Sequence, residues 1–324
     1  MISFAGICLG VAILVGGGFL LVRGASELAT RFGISPMIVG LTIVAFGTSA
    51  PELVVNVLGA VRGETALAFG NVIGSNISNL GLVLGITALV APIAIQGDLV
   101  RREVPLLLLG TTMLTVMALD GVLEGYSPAI GRSDSIVLLL VFCIFLYITA
   151  MDLVRSQQSD QLLLDIVESH IVHEAPRIQL SVLFLVLGGA LLFTGGEVTV
   201  RNASALASEL GISPTIIGLF VVGIGTSMPE LVTSIIAAVR RESDLALGNL
   251  IGSNIFNSLL VLPVSGLVSR IAIPDGGISD LVVSWLFAAI LIPVFLIRRA
   301  RLGRTVGAFL LLAYFGYAIT RMNT

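Results

Sequence analysis

Two glutamates sit deep within apolar stretches of this chain, each closing a run rich in glycine and hydroxyls. The runs are Gly47-Thr48-Ser49-Ala50-Pro51-Glu52 and Gly225-Thr226-Ser227-Met228-Pro229-Glu230. Pro51 has no N–H, so the carbonyl of Gly47 loses its helical partner, and Pro229 does the same to Gly225. Glycine lets the backbone open there at little steric cost. Helical spacing then adds side-chain oxygens to the freed carbonyls. Thr48, Glu52 and Asn56 fall at i, i+4 and i+8 on one face, and Thr226, Glu230 and Ser234 repeat the stripe. Asn71, Ser75 and Asn79 make a third stripe, and Asn249, Ser253 and Asn257 a fourth.

Carboxylate, amide, hydroxyl and carbonyl oxygens, with no His or Cys among them, suit calcium or sodium and argue against zinc, copper or iron. An ionised carboxylate in hydrocarbon is expensive unless compensated, and two side by side repel. A divalent ion, or several monovalent ones, removes both penalties. No arginine lies in mid-span to neutralise either acid. Asn76 and Asn254, one position past the serines, could brace the site or bind within it. Glu197 and Arg201, like Arg23 and Glu27, read as ordinary i, i+4 pairs near helix ends.

The elements that must carry these stripes are membrane spans. Of 324 residues 56% are hydrophobic and only 11% charged, with a mean hydropathy of +1.07. A soluble domain carries about a quarter charged residues. Apolar segments at 3–30, 36–62, 65–92, 103–119, 135–154, 179–208, 214–239, 245–268, 280–297 and 304–320 predict ten transmembrane helices. Ser35-Pro36 and Ser213-Pro214 look like N-cap and first-turn signals for the second and seventh. The N-terminus lacks the basic flank of a cleavable signal peptide, so the first segment is taken as retained. Cys8 and Cys143 read as small buried apolar residues.

All 17 cations are arginines, and counting them on alternate sides gives twelve against five. The richer side, with Arg23, Arg101, Arg155, Arg240 and Arg301, is assigned to the cytoplasm, which places both termini outside. Residues 155–177 are then a cytoplasmic connector, with a short interfacial helix near Leu162–Glu168. His170 and His173 in it, near Asp165, Glu168 and Glu174, are read as solvated rather than as a metal clasp.

An internal repeat decides the architecture. Sliding the chain by 178 residues lays 33–80 on 211–258 with 29 identities in 48 positions, and pairs Arg23 with Arg201. Five helices per half is an odd number, so the second copy enters the membrane from the opposite side. The expected fold is therefore an all-α integral membrane protein of two inverted five-helix repeats, 1–154 and 178–324, joined by 155–177. Such repeats with a site at their interface characterise many secondary transporters.

The doubled G-T-S-x-P-E and G-N-x-x-G-S-N-I-x-N segments resemble the two alpha repeats of the sodium/calcium exchangers, in the cation/calcium antiporter superfamily. The resemblance spans the whole ten-helix plan. It implies alternating access, with sodium entry driving calcium out across the plasma (cell inner) membrane, in a protein expected to act as a monomer. Glu52 and Glu230 then resemble the central calcium-binding acids, with Thr48 and Thr226 adding oxygens. Ser49, Ser75, Ser227 and Ser253 resemble flanking sodium ligands, as do the carbonyls of Ala45 and Gly223. In that family the long first and sixth helices slide to switch access, and Gly16-Gly17-Gly18, Gly188-Gly189 and Gly195-Gly196 would suit a smooth sliding face. Several relatives carry Asp at the position of Asn257. Here Asn79 and Asn257 are both amides, which weakens a potassium-cotransporting reading.

A proton-coupled calcium exchanger is the nearest alternative, and a passive cation channel a further one. An enzyme is not expected, because Ser49 has no base partner of the usual kind. No cofactor or nucleic-acid partner is implied; the partners are the transported ions and the lipid bilayer.

Overall fold

The structure is a computed structural model and describes residues 2–94, 99–125, 127–167, 178–211, 223–296 and 301–322. Its helices are α1 (Ile2–Phe32), α2 (Pro36–Val61), α3 (Thr65–Val90), α4 (Leu99–Glu124) and α5 (Arg132–Val167). The second half holds α6 (Ile178–Glu209), α7 (Met228–Val239), α8 (Ser243–Val268), α9 (Gly277–Leu296) and α10 (Arg304–Met322). A short helical turn, Gly223–Thr226, precedes α7. Eight of these are long and apolar enough to cross a membrane, while α7 and α9 are shorter apolar helices. The chain is a multi-pass membrane protein, and among the described residues it is helical apart from two tiny strand pairs.

The helix starts follow local chemistry. Ser35 caps α2 by accepting the Met37 N–H at 3.3 Å, and Pro36 occupies the first turn. Ser213-Pro214 lies outside the described residues, as do His170 and His173. The expected separate helix in the connector does not form. α5 instead runs on unbroken to Val167, because nothing between 155 and 167 is a proline or glycine that would stop it.

The middle of the bundle belongs to α3 and α8. Their most apolar windows are 83% and 78% buried, against 22–33% for α1, α5, α6 and α10. α2 crosses α8 at backbone contact. A Cβ on Gly248 would lie 2.6 Å from the Met37 carbonyl oxygen, and one on Gly252 2.6 Å from that of Leu41. Small residues permit this approach, and dispersion over it holds the helices together where lipid supplies no hydrophobic drive.

α1 and α6 run antiparallel as a close pair. A Cβ on Gly17 would meet Leu192 N at 2.8 Å and the Gly188 oxygen at 2.9 Å; one on Gly195 would meet Leu14 N at 2.7 Å. Three of the seven glycines expected to make a sliding face, Gly17, Gly188 and Gly195, therefore knit α1 to α6. Only Gly18 and Gly196 have neighbours on α7, and Gly16 and Gly189 face open space. Cys8 and Cys143 also depart from expectation, since both are exposed. In a bilayer the outward side of a helix is as apolar as the core, so an apolar run does not mark the inner face.

Two strand pairs tie the halves together. β1 (Ile93–Ala94) pairs antiparallel with β4 (Arg301–Leu302), and β2 (Ala129–Ile130) with β3 (Ile271–Ala272). The links have matching supports. Ala94 N donates to Ser243 Oγ at 3.3 Å, and Ala272 N donates to Thr65 Oγ1 at 3.4 Å. Ala94 and Thr65 are related to Ala272 and Ser243 by the 178-residue shift.

Candidate functional site

The stripes converge on the interface between the two halves. Thr48, Ser49, Glu52, Asn56, Ser75 and Asn79 are all buried, as are Ser227, Glu230, Ser234, Asn249, Ser253 and Asn257. Ala45 is buried too, while Asn71 and Thr226 are half-buried. Gly223 opens the short helical turn before α7.

The two proline motifs solve the same problem differently. Pro51 lies inside a continuous helix, whose irregularity sits upstream as a wide π turn at Gly40–Val44. Pro229 instead follows a real break: Ser227 leaves helical geometry at φ −89°, ψ 5°, and Glu230 falls in the first turn of α7. Wide turns also begin at Asn79 in α3 and at Asn257 in α8. Such turns carry an extra residue and recur at functional sites.

Contacts across the halves assemble the centre. Ser49 Oγ donates to Glu230 Oε1 at 3.4 Å, joining α2 to α7. Thr48 Oγ1 donates to Asn249 Oδ1 at 3.1 Å and lies 3.3 Å from Ser253 Oγ, joining α2 to α8. Thr48, Ser49 and Ser253 all bear on the Glu230 carboxylate, and Glu52 is near enough to repel it. Asn249 Nδ2 in turn donates to Ser234 Oγ at 3.0 Å. Asn56 turns inward on its own helix, donating to the Glu52 carbonyl at 2.7 Å.

Behind this centre α3 and α8 are stitched together. Asn79 Nδ2 donates to Asn254 Oδ1 at 3.1 Å, and Asn76 Nδ2 to Ser258 Oγ at 2.8 Å. Asn254 Nδ2 reaches the Asn76 carbonyl at 3.4 Å. Asn76 and Asn254 thus brace the helices that hold the oxygen stripes.

Many inward oxygens have no hydrogen-bond partner: Glu52 Oε2, Glu230 Oε2, Asn56 Oδ1, Asn79 Oδ1, Asn257 Oδ1 and the Ser75 and Ser227 hydroxyls. Leaving such groups buried and unpaired is costly, and a hard cation satisfies several at once. Among the described residues neither glutamate has an arginine partner. Nor do three or more His, Cys, Asp or Glu side chains gather anywhere among them. The donor set is two carboxylates and neutral oxygens.

Thr233 belongs to this region but escapes the repeat logic. It is buried, its Oγ1 has no partner, and its counterpart is Val55. Ser258 is a second such residue, standing against Leu80. Both are polar residues at positions where the other copy is apolar, which is the signal that would find them.

A cavity of about 650 Å³ leads to Glu52. Val54, Leu58, Asn71, Glu197, Arg201 and Thr226 are among its lining residues. Glu197 and Arg201 do not close the ion pair their spacing suggests; they face this cavity instead. Arg23 and Glu27 do pair, at 2.8 Å. The cavity extends past Leu58 and Arg201, toward the end of the bundle that carries Arg62. On the other side the equivalent positions are closed: a Cβ on Gly18 would lie 2.7 Å from Ile236 Cδ1, whereas one on Gly196 meets only Pro229 Cγ at 3.9 Å.

Known proteins resemble this chain along nearly its whole length. The model of the family described as "Sodium/calcium exchanger protein" matches residues 2–151 and 180–323. CaxA of Alkalimonas amylolytica is 38% identical over 314 residues, 96% of each chain. The sodium/calcium exchanger MaX1 of Methanosarcina acetivorans is 27% identical over 98% of both chains. Among solved structures, the sodium-calcium exchanger NCX_Mj soaked with Na⁺ and Ca²⁺ superposes with a TM-score of 0.78 at 28% identity, covering 99% of this chain and 98% of that one.

Proposed function

The chain belongs to the sodium/calcium exchanger family, and on that premise we propose that it exchanges sodium for calcium by alternating access and extrudes calcium from the cell. The observation that carries this reading is the pair Glu52 and Glu230, buried close together, without arginine partners among the described residues and ringed by unpaired neutral oxygens. Two negative charges match one calcium ion, and the surrounding hydroxyls and amides offer places for sodium when calcium leaves.

In this reading Glu52, Glu230, Thr48 and Thr226 hold calcium. Ser49, Ser75, Ser227 and Ser253, with the carbonyls of Ala45 and Gly223, take sodium, and Asn79 and Asn257 complete the ring. The ten helices form two inverted repeats, 1–154 and 178–324, and the crosswise pairing of β1 with β4 and β2 with β3 supports that symmetry. The arginine-rich face is cytoplasmic and both termini lie outside, in the plasma (cell inner) membrane, with the monomer as the working unit.

Vesicles loaded with sodium and diluted into sodium-free medium should accumulate labelled calcium at fixed pH. Uptake driven by a pH gradient alone, with sodium inert, would transfer the protein to proton coupling. Thr48→Ala should raise the calcium concentration for half-maximal uptake about tenfold, since it strips a buried donor from Asn249 and an oxygen from the site. An unchanged half-saturation value would remove Thr48 from the ligand set.

A further inference from the structure

The pseudo-symmetry of the chain is kept in one set of contacts and broken in another, and the difference marks a latch. The kept set lies in the scaffold, where Ala94–Ser243 and Ala272–Thr65 are related contacts and both are made. The broken set involves the α1–α6 pair. On α1, Ser26 Oγ donates to Glu242 Oε2 in the turn before α8. The 178-residue shift carries Ser26 to Ser204 on α6 and Glu242 to Glu64 in the turn before α3. Both residue types are repeated, yet among the described contacts no hydrogen bond joins Ser204 to Glu64, and Glu64 is exposed.

The made and unmade contacts follow the cavities. The cavity that reaches Glu52 is lined by Leu58, Glu197 and Arg201, at the end of the bundle where the ungripped Ser204 and Glu64 lie. On the gripped side a second cavity, about 640 Å³, is lined by Arg241, Glu242, Asp244 and Arg301 but by none of the candidate ion ligands. There the route stops at packed residues: Gly18 lies against Val232 and Ile236, and Asn249 is bonded to Ser234 and Thr48.

The Ser26 end is firmly tied to α6. Glu27 accepts from Ser181 at 2.8 Å and pairs with Arg23, which lies over the Phe184 ring at 4.8 Å. α1 and α6 therefore move together, and a bond from Ser26 holds both. The turn that carries Glu242 is also unusual, because Arg241 adopts φ 63° where the other copy has Gly63. A left-handed arginine is strained and persists only where the surroundings require it.

We propose that Ser26–Glu242 and Ser204–Glu64 are two alternating latches, each closed when the ion site is shut off from its own face of the membrane. This rests on the exchanger reading for its purpose, but its mechanics concern only which face is open. Ser26–Glu242 is closed in this structure, and Ser204–Glu64 would close when α1 and α6 shift toward the opposite face. In inverted repeats the second state is the first with the halves exchanged, so the unmade contact is the one it requires.

Thiol accessibility tests this without any ion flux. In a background with Cys8 and Cys143 replaced by alanine, Leu58→Cys reports on the open cavity and its repeat partner Ile236→Cys on the closed side. A membrane-impermeant thiol reagent should label Leu58→Cys and spare Ile236→Cys. Ser26→Ala or Glu242→Gln, tested separately, should raise Ile236→Cys labelling about tenfold, the shift that losing one charge-assisted bond produces, and lower that of Leu58→Cys. Ser204→Ala and Glu64→Gln should leave Ile236→Cys protected. The proposal is overturned if neither Ser26→Ala nor Glu242→Gln changes labelling, or if both reporters rise together, which is general loosening. Failure of sodium-driven calcium uptake would overturn the exchanger reading and leave the latch result standing.

Discussion

Glu230→Gln should abolish sodium-driven calcium uptake, by at least about a hundredfold, in a protein that still inserts and purifies folded. Glu52→Gln should do the same. Each carboxylate is buried and faces the other across the interface of the two halves, with one oxygen unpartnered. Removing one leaves a divalent ion half-neutralised in a place without water, and breaking a buried charge pairing costs about 3–5 kcal/mol. That range is a factor of hundreds or more in binding.

The amide swap carries a second, opposite signature. Without ions the wild-type protein holds two acids that repel, so each Gln variant should melt no lower than wild type in calcium-free, sodium-free buffer. Calcium should raise the wild-type melting temperature, because a ligand that binds only the folded state stabilises it. The variants should show no such rise. Wild-type uptake in either variant, or a full calcium-induced rise, would remove that residue from the site.

The second large effect belongs to a residue with no chemistry of its own. Gly248→Ala should destabilise the protein by about 1–3 kcal/mol, the cost of overpacking a tight core, and remove most of its exchange activity. The added Cβ would sit 2.6 Å from the Met37 oxygen and 2.9 Å from Leu41 N. Both are backbone atoms of α2 and cannot swing aside as a flexible side chain would. Pushing α8 from α2 also displaces Asn249, which links Thr48 to Ser234. Gly16→Ala is the control: nothing lies within 4 Å of its added carbon, so melting and transport should stay near wild type. Equal effects at both positions would mean that the α2–α8 crossing has no special role.

Much of this arrangement is legible in the amino-acid sequence. Membrane spans announce themselves because hydrocarbon demands long apolar helices, and the predicted starts at 36, 65, 245 and 304 fall within two residues of those observed. The repeat exposes the site, since oxygen-bearing residues at i and i+4 inside an apolar span are too costly to keep there unless something polar meets them. Boundaries blur where charge and helix propensity disagree, as in α5, which continues thirteen residues beyond the expected end at 154.

What the sequence determined by itself was a pair of acids, four oxygen stripes and the near-identity of two halves. What only the tertiary structure decided is how those halves differ. Near-identical segments carry Pro51 inside an unbroken helix and Pro229 just after a break. Glu197 and Arg201 look like an ion pair and line a cavity instead; Ser26 grips Glu242 while Ser204 does not grip Glu64. A symmetric sequence offers both arrangements nearly equally, so no local signal says which side is open. The packing of α1 and α6 against the rest decides which contacts form, and the cavity reaches Glu52 past Glu197 and Arg201 because of that packing.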